Sequence, residues 1–197
     1  MTAATNFLPG LPHLPTITTS RLQLRWLTPA DVPALFTIFS DPAVMRYWSR
    51  PPMTAAAEAA ALQTQIAEHF ASRSLFQWGL ARRSDDVVIG TGTLYSLSST
   101  NQHAGIGYAL GSAHWRQGYG SEAVAGLVEF AFTELALHRL EADVDPRNTA
   151  SRRCLERIGF QQEGYQRERY FLYEEWQDAV LYGLLQSEYK PAALLGG

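Results

Sequence analysis

A change in hydrophobic spacing at Gly118 constrains the fold of this chain more than any other sequence feature. Before this glycine, the stretches DVVIGTGTLYSL (86–97) and AGIGYAL (104–110) carry the β-branched and aromatic residues typical of strands. After it, apolar residues recur at helical spacing, at Val124, Leu127, Val128, Ala131 and Leu135. The stretch HRLEADVD (138–145) then has the pattern of a strand again. This order predicts a helix that begins at the glycine turn and connects two strands across a sheet.

Further strands and helices are predicted on both sides of that unit. They are strands at approximately 21–27, 75–83, 160–175 and 178–186, and helices at approximately 29–39, 54–72 and 148–159. Thr28 followed by Pro29 is typical of a helix start, and Gly159 is a good residue to end one. The order β-α-α-β-β-β-α-β-α-β-β indicates an α+β fold with an antiparallel ending.

Composition limits the kinds of protein this chain can be. Its 197 residues, 46% of them hydrophobic, suffice for one domain with its own core, and the net charge of −3 lacks the basic surplus of nucleic-acid-binding proteins. The single cysteine, Cys154, excludes an intrachain disulfide and a Cys-rich metal site. No run approaches the ~18 apolar residues of a membrane span, and no signal-peptide pattern is present. We therefore expect a cytoplasmic protein that binds no metal, nucleic acid or membrane.

The expected domain organisation is simple. Residues 1–19, punctuated by prolines, form a flexible N-terminal arm, residues 20–187 form a single domain, and residues 188–197 form a C-terminal tail.

The glycine turn itself, G-Y-G-S-E-A, permits three interpretations. It satisfies the G-x-G-x-x-G/A fingerprint of dinucleotide-binding folds, and Glu141 and Asp143 lie about 20 residues further on, where a ribose-binding carboxylate is expected. However, the polar lead-in at 112–117 replaces the strand that this fingerprint needs. A turn that merely starts a helix is the second interpretation. Two glycine N–H groups, a serine hydroxyl and a helix N-terminus together favour the third, an anion-binding turn.

Longer stretches of the sequence resemble a known family. GYALGSAHWRQGYGSEA is similar to the acyl-CoA-binding motif Q/R-x-x-G-x-G/A of the GNAT superfamily of N-acetyltransferases. DPRNTASRRCLERIGFQQEGYQR, WQDAVLYGLL and SDPAVMRYW resemble the branch that contains ribosomal-protein N-terminal acetyltransferases and many small-amine acetyltransferases. The resemblance spans residues 20–186 and implies a mixed, mostly antiparallel central sheet, flanked by helices and splayed at the acetyl-CoA site.

Two positions depart from the family pattern. Trp115 stands where the general motif has Gln or Arg, and Gly105 stands where the branch often has a glutamate. The missing glutamate supports a second hypothesis, a CoA-binding sensor or regulatory module with weak or no catalysis.

The resemblance implies transfer of an acetyl group from acetyl-CoA to a primary amine, by direct attack through a tetrahedral intermediate. It assigns cofactor contacts to the end of one strand and to the glycine turn. They are oxyanion-binding N–H groups at Tyr108, Ala109 and Leu110, and pyrophosphate contacts at Gln117, Gly118, Tyr119, Gly120 and Ser121. Arg116 and Arg153 are candidates for the nucleotide phosphates, with solvated surface arginine as the alternative.

Catalytic residues are less well defined. In the family the matching Asn and Ser lie beside the cofactor, so Asn148 is assigned to cofactor positioning and Ser151 to thiolate protonation. Asn148 could instead only cap its helix by accepting the N–H of Ser151. Ser151 lies on the same predicted helix face as Cys154, which is expected to be a core residue.

A base must remove a proton from an amine of pKa ~8 to ~10 near neutral pH. Glu141 is the leading candidate because its strand is expected near the sheet centre, where a carboxylate is costly without a use or a partner. An ion pair with an arginine is the alternative for Glu141, and Glu163 or ordered water are other candidates for the base.

The acceptor is left open among a peptide N-terminus, a polyamine, an antibiotic amine and an amino acid. It is expected to bind against the helical region 30–72 and against the loop around 165–177. Within 30–72 the expected contact is an exposed aromatic and basic edge formed by Tyr47, Trp48, Arg50 and Met53, although ordinary packing would also explain that edge. The oligomeric state, monomer or homodimer, is likewise open.

Overall fold

A computed structural model describes residues 7–191 of the chain. Its strands are β1 (Ile17–Thr18), β2 (Leu22–Arg25), β3 (Leu75–Arg82), β4 (Val88–Ser98), β5 (His103–Leu110), β6 (Arg139–Val144), β7 (Gln161–Leu172) and β8 (Glu175–Leu185). Its helices are α1 (Val32–Phe39), α2 (Pro42–Met45), α3 (Ala56–Ala71), α4 (Tyr119–Thr133) and α5 (Thr149–Ile158). The predicted α+β class is confirmed, and the short elements β1 and α2 add to the predicted order.

One sheet contains all the strands of this part of the chain, in the order β1-β2-β3-β4-β5-β6-β8-β7. Every neighbouring pair is antiparallel except β5 and β6, which are parallel. Helix α4 supplies the crossover that a parallel pair requires. The sheet is therefore mixed and mostly antiparallel, as predicted.

Helices pack against both faces of β3, whose alternate residues point to opposite sides of the sheet. Trp78 of β3 packs edge to face against Phe130 of α4, with ring centroids 5.5 Å apart. Ala81 of the same strand belongs to a second buried cluster that includes Leu35 of α1 and Ile66 of α3. The glycine turn and the N-terminal helices consequently lie against different faces.

Strands β5 and β6 separate part of the way along their length. Their pairing begins at His103 and Arg139 and ends where Gly105 faces Glu141. Beyond that point β5 stays paired with β4 as far as Leu110, and β6 stays paired with β8 as far as Val144. The predicted splay of the sheet is present as a gap between these two strands.

Part of the predicted N-terminal arm packs against the domain. Leu14 is buried, the indole N–H of Trp78 donates to the Pro15 carbonyl at 2.9 Å, and Ile17 pairs with Leu24. Residues 1–6 of the arm and 192–197 of the tail lie outside the described residues. The division into arm, domain and tail stays a prediction.

Within residues 7–191, no helix combines the length and the apolar character that crossing a membrane demands.

Candidate functional site

The glycine turn forms the N-terminus of α4. Gly118 precedes the helix with a φ of 81°, a left-handed conformation that glycine adopts without the strain of a side chain. A Cβ placed on Gly120 would meet only the Tyr108 ring, at 3.8 Å, so the backbone here is open to an approaching ligand. The first N–H groups of the helix have no partner within the helix, and its dipole favours an anion.

Arg21, just before β2, fixes this turn to the sheet. Its guanidinium donates to the Gln117 carbonyl at 2.9 Å, pairs with Glu122 at 2.7 Å and lies over the Tyr119 ring at 4.5 Å. Burial alone would raise the pKa of Glu122, but hydrogen bonds from Thr19 and Arg21 outweigh it and lower that pKa. The arginine is therefore held beside the turn as one half of an ion pair with Glu122. Sequence reasoning missed Arg21, because it is remote from the motif in the chain.

Trp115 connects the turn to the end of β5. Its indole N–H donates to the Leu110 carbonyl at 2.7 Å. Trp115, which departs from the general motif, thus holds the segment before the turn against the end of β5. Arg116 and Arg153 are exposed, and neither forms an ion pair with any residue in 7–191.

Below the turn, side chains from three elements meet. The Tyr108 hydroxyl of β5 lies 3.1 Å from the Ser151 hydroxyl of α5, and the Ser121 hydroxyl of α4 donates to the Cys154 thiol at 3.5 Å. Burial and the neighbouring Cys154 raise the pKa of Tyr108, although the bond with Ser151 acts in the opposite direction. The phenol therefore keeps its proton near neutral pH and is available as a donor.

Asn148 and Cys154 take the positions expected from local structure. The Asn148 side chain accepts the N–H of Ser151 at 3.1 Å and so caps α5. Cys154 is half-buried and packs against the main core. The capping bond places Asn148 beside Ser151, and its role toward a cofactor stays a prediction.

Glu141 does not have the buried environment that made it the leading base. Its side chain is 49% exposed and pairs with Arg139 at 2.8 Å, because odd-numbered residues of β6 point away from the core. Arg139 also pairs with Glu163, and this hydrogen bond lowers the pKa of the Glu163 carboxyl. Both carboxylates proposed from the sequence as bases thus pair with the same arginine. For Glu141 this is the ion pair that the sequence offered as the alternative to a catalytic role.

The other carboxylate on this side of β6, Asp143, has a different environment. The Tyr95 hydroxyl donates to its Oδ1 at 3.0 Å, and the Tyr170 hydroxyl donates to its Oδ2. The Tyr95 ring lies over Gly105, so close that a Cβ on that glycine would be 2.9 Å from the ring's Cδ2 and nearer still to two other ring atoms. The position where the branch often has glutamate is therefore occupied by an aromatic ring.

Sequence reasoning noted Asp143 only as a possible ribose ligand and missed both tyrosines. A signal was nevertheless present: two glycines spaced by two in β5, Gly105 and Gly107, leave room on one face for a large side chain from a neighbouring strand.

A cavity of about 400 Å³ lies between the α2 region and the turn that joins β7 to β8. Its lining includes Tyr47, Arg147 and Tyr173. Trp48, expected at the same edge as Tyr47, instead packs against Phe39 with ring centroids 5.6 Å apart. Tyr47, Trp48 and Arg50 are half-buried and Met53 is buried, so only part of the predicted acceptor edge is open to a ligand.

In the part of the chain from 7 to 191, no group of three or more His, Cys, Asp or Glu side chains is arranged to hold a metal ion.

Comparison with known proteins agrees with this geometry. Residues 21–161 match a family model described as the acetyltransferase (GNAT) domain. Over 172 residues the chain is 33% identical to the uncharacterized N-acetyltransferase YoaA of Bacillus subtilis (strain 168), covering 87% of this chain and 97% of that protein. It is 28% identical over 127 residues to the ribosomal protein uS5-alanine N-acetyltransferase of Escherichia coli (strain K12), covering 64% of this chain and 66% of that protein.

A solved structure gives the same result for the fold. RimJ of Mycobacterium smegmatis, in complex with CoA-disulfide, matches with a TM-score of 0.84 and 24% identity, covering 94% of each chain. At this identity the similarity concerns the fold alone.

Proposed function

The chain belongs to the GNAT acetyltransferase family, and we propose on this premise that it transfers an acetyl group from acetyl-CoA to the primary amine of a protein N-terminus or a small molecule. That it is an acetyltransferase of the ribosomal-protein N-acetyltransferase-like branch follows from the family match and the relatives. The amine acceptor and the roles of individual residues are the proposal. The observation that carries it is the Tyr108–Ser151 pair, placed below an anion-binding helix terminus and beside the gap between β5 and β6.

The glycine turn and the gap between β5 and β6 are each assigned one part of acetyl-CoA. We assign the pyrophosphate to the N-terminus of α4, where backbone N–H groups and the Ser121 hydroxyl act together in a turn that Arg21 holds in place. Arg116 and Arg153 are assigned to the remaining phosphates. The acyl-pantetheine arm is assigned to the gap, whose width results from the end of pairing at Gly105.

Strand β5 supplies the oxyanion-stabilising donors in this proposal. Past Gly105, the N–H groups of β5 that point toward β6 have no ladder partner there, because the two strands no longer pair. Tyr108, Ala109 and Leu110 form this part of the strand. Donors held by the rigid β4–β5 ladder need no reorganisation when charge develops on the thioester oxygen.

The bound thioester supplies an electrophilic carbonyl and a thiolate leaving group. A neutral amine forms the new C–N bond, the C–S bond breaks, and the amine nitrogen loses a proton while the sulfur gains one. We assign proton donation to the Ser151 hydroxyl, which the phenol of Tyr108 can reprotonate across their 3.1 Å contact. Asn148 positions Ser151 by capping α5.

The test combines binding with turnover. Isothermal titration with acetyl-CoA and with NAD distinguishes the two interpretations of the turn, and we expect binding of acetyl-CoA alone. Release of free CoA thiol is then measured with a panel that contains an N-terminal alanine peptide, a polyamine, an aminoglycoside and an amino acid. Turnover above background with at least one amine is the expected result. Acetyl-CoA binding with no turnover across the panel would instead support a regulatory CoA-binding module.

A further inference from the structure

We propose that Asp143, held between Tyr95 and Tyr170, is the carboxylate that binds the ammonium form of the acceptor and accepts its proton. The inference rests on the proposed acetyl transfer and deepens it, because it names the group that receives the amine. It assigns Asp143 a direct catalytic role and the two tyrosines positioning roles.

The position of Asp143, just past the end of the β5–β6 pairing, supports this role. It lies on β6 two residues past Glu141, the last residue of β6 that pairs with β5. Because side chains alternate along a strand, Asp143 and Glu141 share one face, and Gly105 opposite Glu141 shares it too. Asp143 is exposed on this face. It therefore stands at the edge of the gap to which the acyl group is assigned, on the side opposite to α4 and α5.

Tyr95 reaches this carboxylate by crossing β5. It is paired with Gly105 on the neighbouring strand, yet its hydroxyl bonds to Asp143 on the strand beyond. Gly105 and Gly107 make the path possible, since a Cβ at the first would collide with the ring and one at the second would touch it at 3.7 Å. Two glycines in one strand thus give Tyr95 a flat surface on which its ring is fixed.

The charge of Asp143 also differs from that of its neighbours. Glu141 and Glu163 pair with Arg139, and Asp145 pairs with Arg147. Among residues 7–191, Asp143 forms no ion pair, and the donors it does have are neutral phenols. No cation of this part of the chain therefore pairs with it directly. A carboxylate has about four acceptor positions, so two phenols leave room for an ammonium group.

The tyrosines keep the carboxylate oriented without taking its charge. Burial and the adjacent Asp143 raise the pKa of Tyr95, so the phenol remains a donor. The guanidinium of Arg169 lies over the Tyr170 ring, 5.5 Å from the ring centroid.

An N–H bond of the acceptor ammonium breaks, its proton goes to a carboxylate oxygen of Asp143, and the electron pair stays on nitrogen. The products are a neutral amine, which can attack the thioester carbonyl, and a neutral carboxylic acid. Because Asp143 is exposed, the acid returns its proton to water before the next turnover.

The first experiment detects cation binding without turnover. The full-length protein is labelled with carbon-13 at the tyrosine Cζ, the Tyr95 and Tyr170 resonances are assigned from Tyr95→Phe and Tyr170→Phe, and butylammonium chloride is added. We expect saturable shifts of these two resonances that butanol does not produce and that Asp143→Asn removes. No shift at either tyrosine, or equal shifts in Asp143→Asn, would overturn the proposal.

The second experiment measures catalysis with the best amine of the panel. Asp143→Asn should lower kcat/KM about 100-fold or more, as expected for loss of a general base, with acetyl-CoA binding retained. Tyr95→Phe should lower it by a smaller factor. The matched control is Glu156→Gln on α5, which changes another tyrosine-bound carboxylate, the partner of Tyr182, on the face of the sheet opposite to Asp143. We expect that variant to keep wild-type kcat/KM.

The outcomes separate the two proposals. Loss of kcat/KM in Glu141→Gln, with Asp143→Asn unaffected, would assign the base to Glu141 and refute the role of Asp143. Butylammonium shifts at the two tyrosines without turnover by the wild type would contradict acetyl transfer while leaving the cation site intact. Retained folding of each variant is checked by urea unfolding.

Discussion

Replacing Gly105 with alanine tests the packing on which the site depends. The added Cβ would lie 2.9 Å from Cδ2 of Tyr95 and closer to two other ring atoms, all inside van der Waals contact. The ring must move away from β5, and its hydrogen bond to Asp143 is then weakened or lost.

The expected magnitude follows from three contributions. Overpacking costs about 1–3 kcal/mol, and loss of a partly exposed hydrogen bond costs about 0.5–1 kcal/mol. Restricting the unfolded chain by replacing glycine stabilises by about 0.4–1 kcal/mol. The net effect of Gly105→Ala is therefore a loss of about 0.5–3.5 kcal/mol in the free energy of unfolding, measured by urea denaturation with the m-value unchanged.

Gly107→Ala provides the matched control. Its Cβ would touch the same ring at 3.7 Å, an ordinary contact, so stability should be unchanged or slightly higher. In a Tyr95→Ala background, Gly105→Ala should lose its cost as well, because the ring it displaces is gone. Equal losses for the two glycine variants, or a cost at Gly105 that persists without the ring, would refute the reasoning.

Three further predictions concern the cofactor site and one ion pair. Gly120→Glu should abolish acetyl-CoA binding in isothermal titration, because it places a carboxylate at the anion site. Gly120→Ala, whose Cβ has space, should still bind acetyl-CoA. Unchanged affinity of the glutamate variant would refute the assignment of the pyrophosphate to this turn. Ser151→Ala should lower kcat with little change in the KM for acetyl-CoA, and an unaltered kcat would exclude the serine as the proton donor. Burial alone would raise the pKa of Asp31, but hydrogen bonds from Arg25 and Thr28 lower it overall, so the wild type should lose stability as the pH falls from ~4 through the lowered pKa. Asp31→Asn should cost about 1–3 kcal/mol at neutral pH and lose less on acidification in urea melts; a parallel pH dependence would contradict this assignment.

The elements that the sequence predicted are those with local signals. The change of spacing at Gly118 and the apolar positions that follow it predicted α4 to within a few residues. Asn148 and Gly159 fixed both ends of α5, because the side-chain cap and the left-handed glycine act within one turn of the helix. Such features depend on neighbours in the chain, which a sequence displays directly.

The features that could not be predicted depend on contacts between distant residues. Arg21 supports the glycine turn through Glu122, 101 positions away, and nothing near either residue indicates the partner. The burial of Glu141 was overestimated for a related reason. Its strand was expected near the sheet centre, where a carboxylate is costly, whereas β6 is covered on one face and exposes its odd-numbered residues on the other.

The tyrosine-bound Asp143 also changes the meaning of Gly105. Taken alone, a glycine in place of glutamate suggests a lost base and hence a protein without catalysis. In the structure the glycine is required by the Tyr95 ring, because any Cβ at that position collides with it. A side chain at position 105 and a Tyr95 ring that reaches Asp143 therefore exclude each other. In a chain with this fold and a glutamate at the Gly105 position, the residue at the Tyr95 position must be smaller or turn its side chain away from β6. The absent glutamate therefore does not by itself argue for a protein without activity.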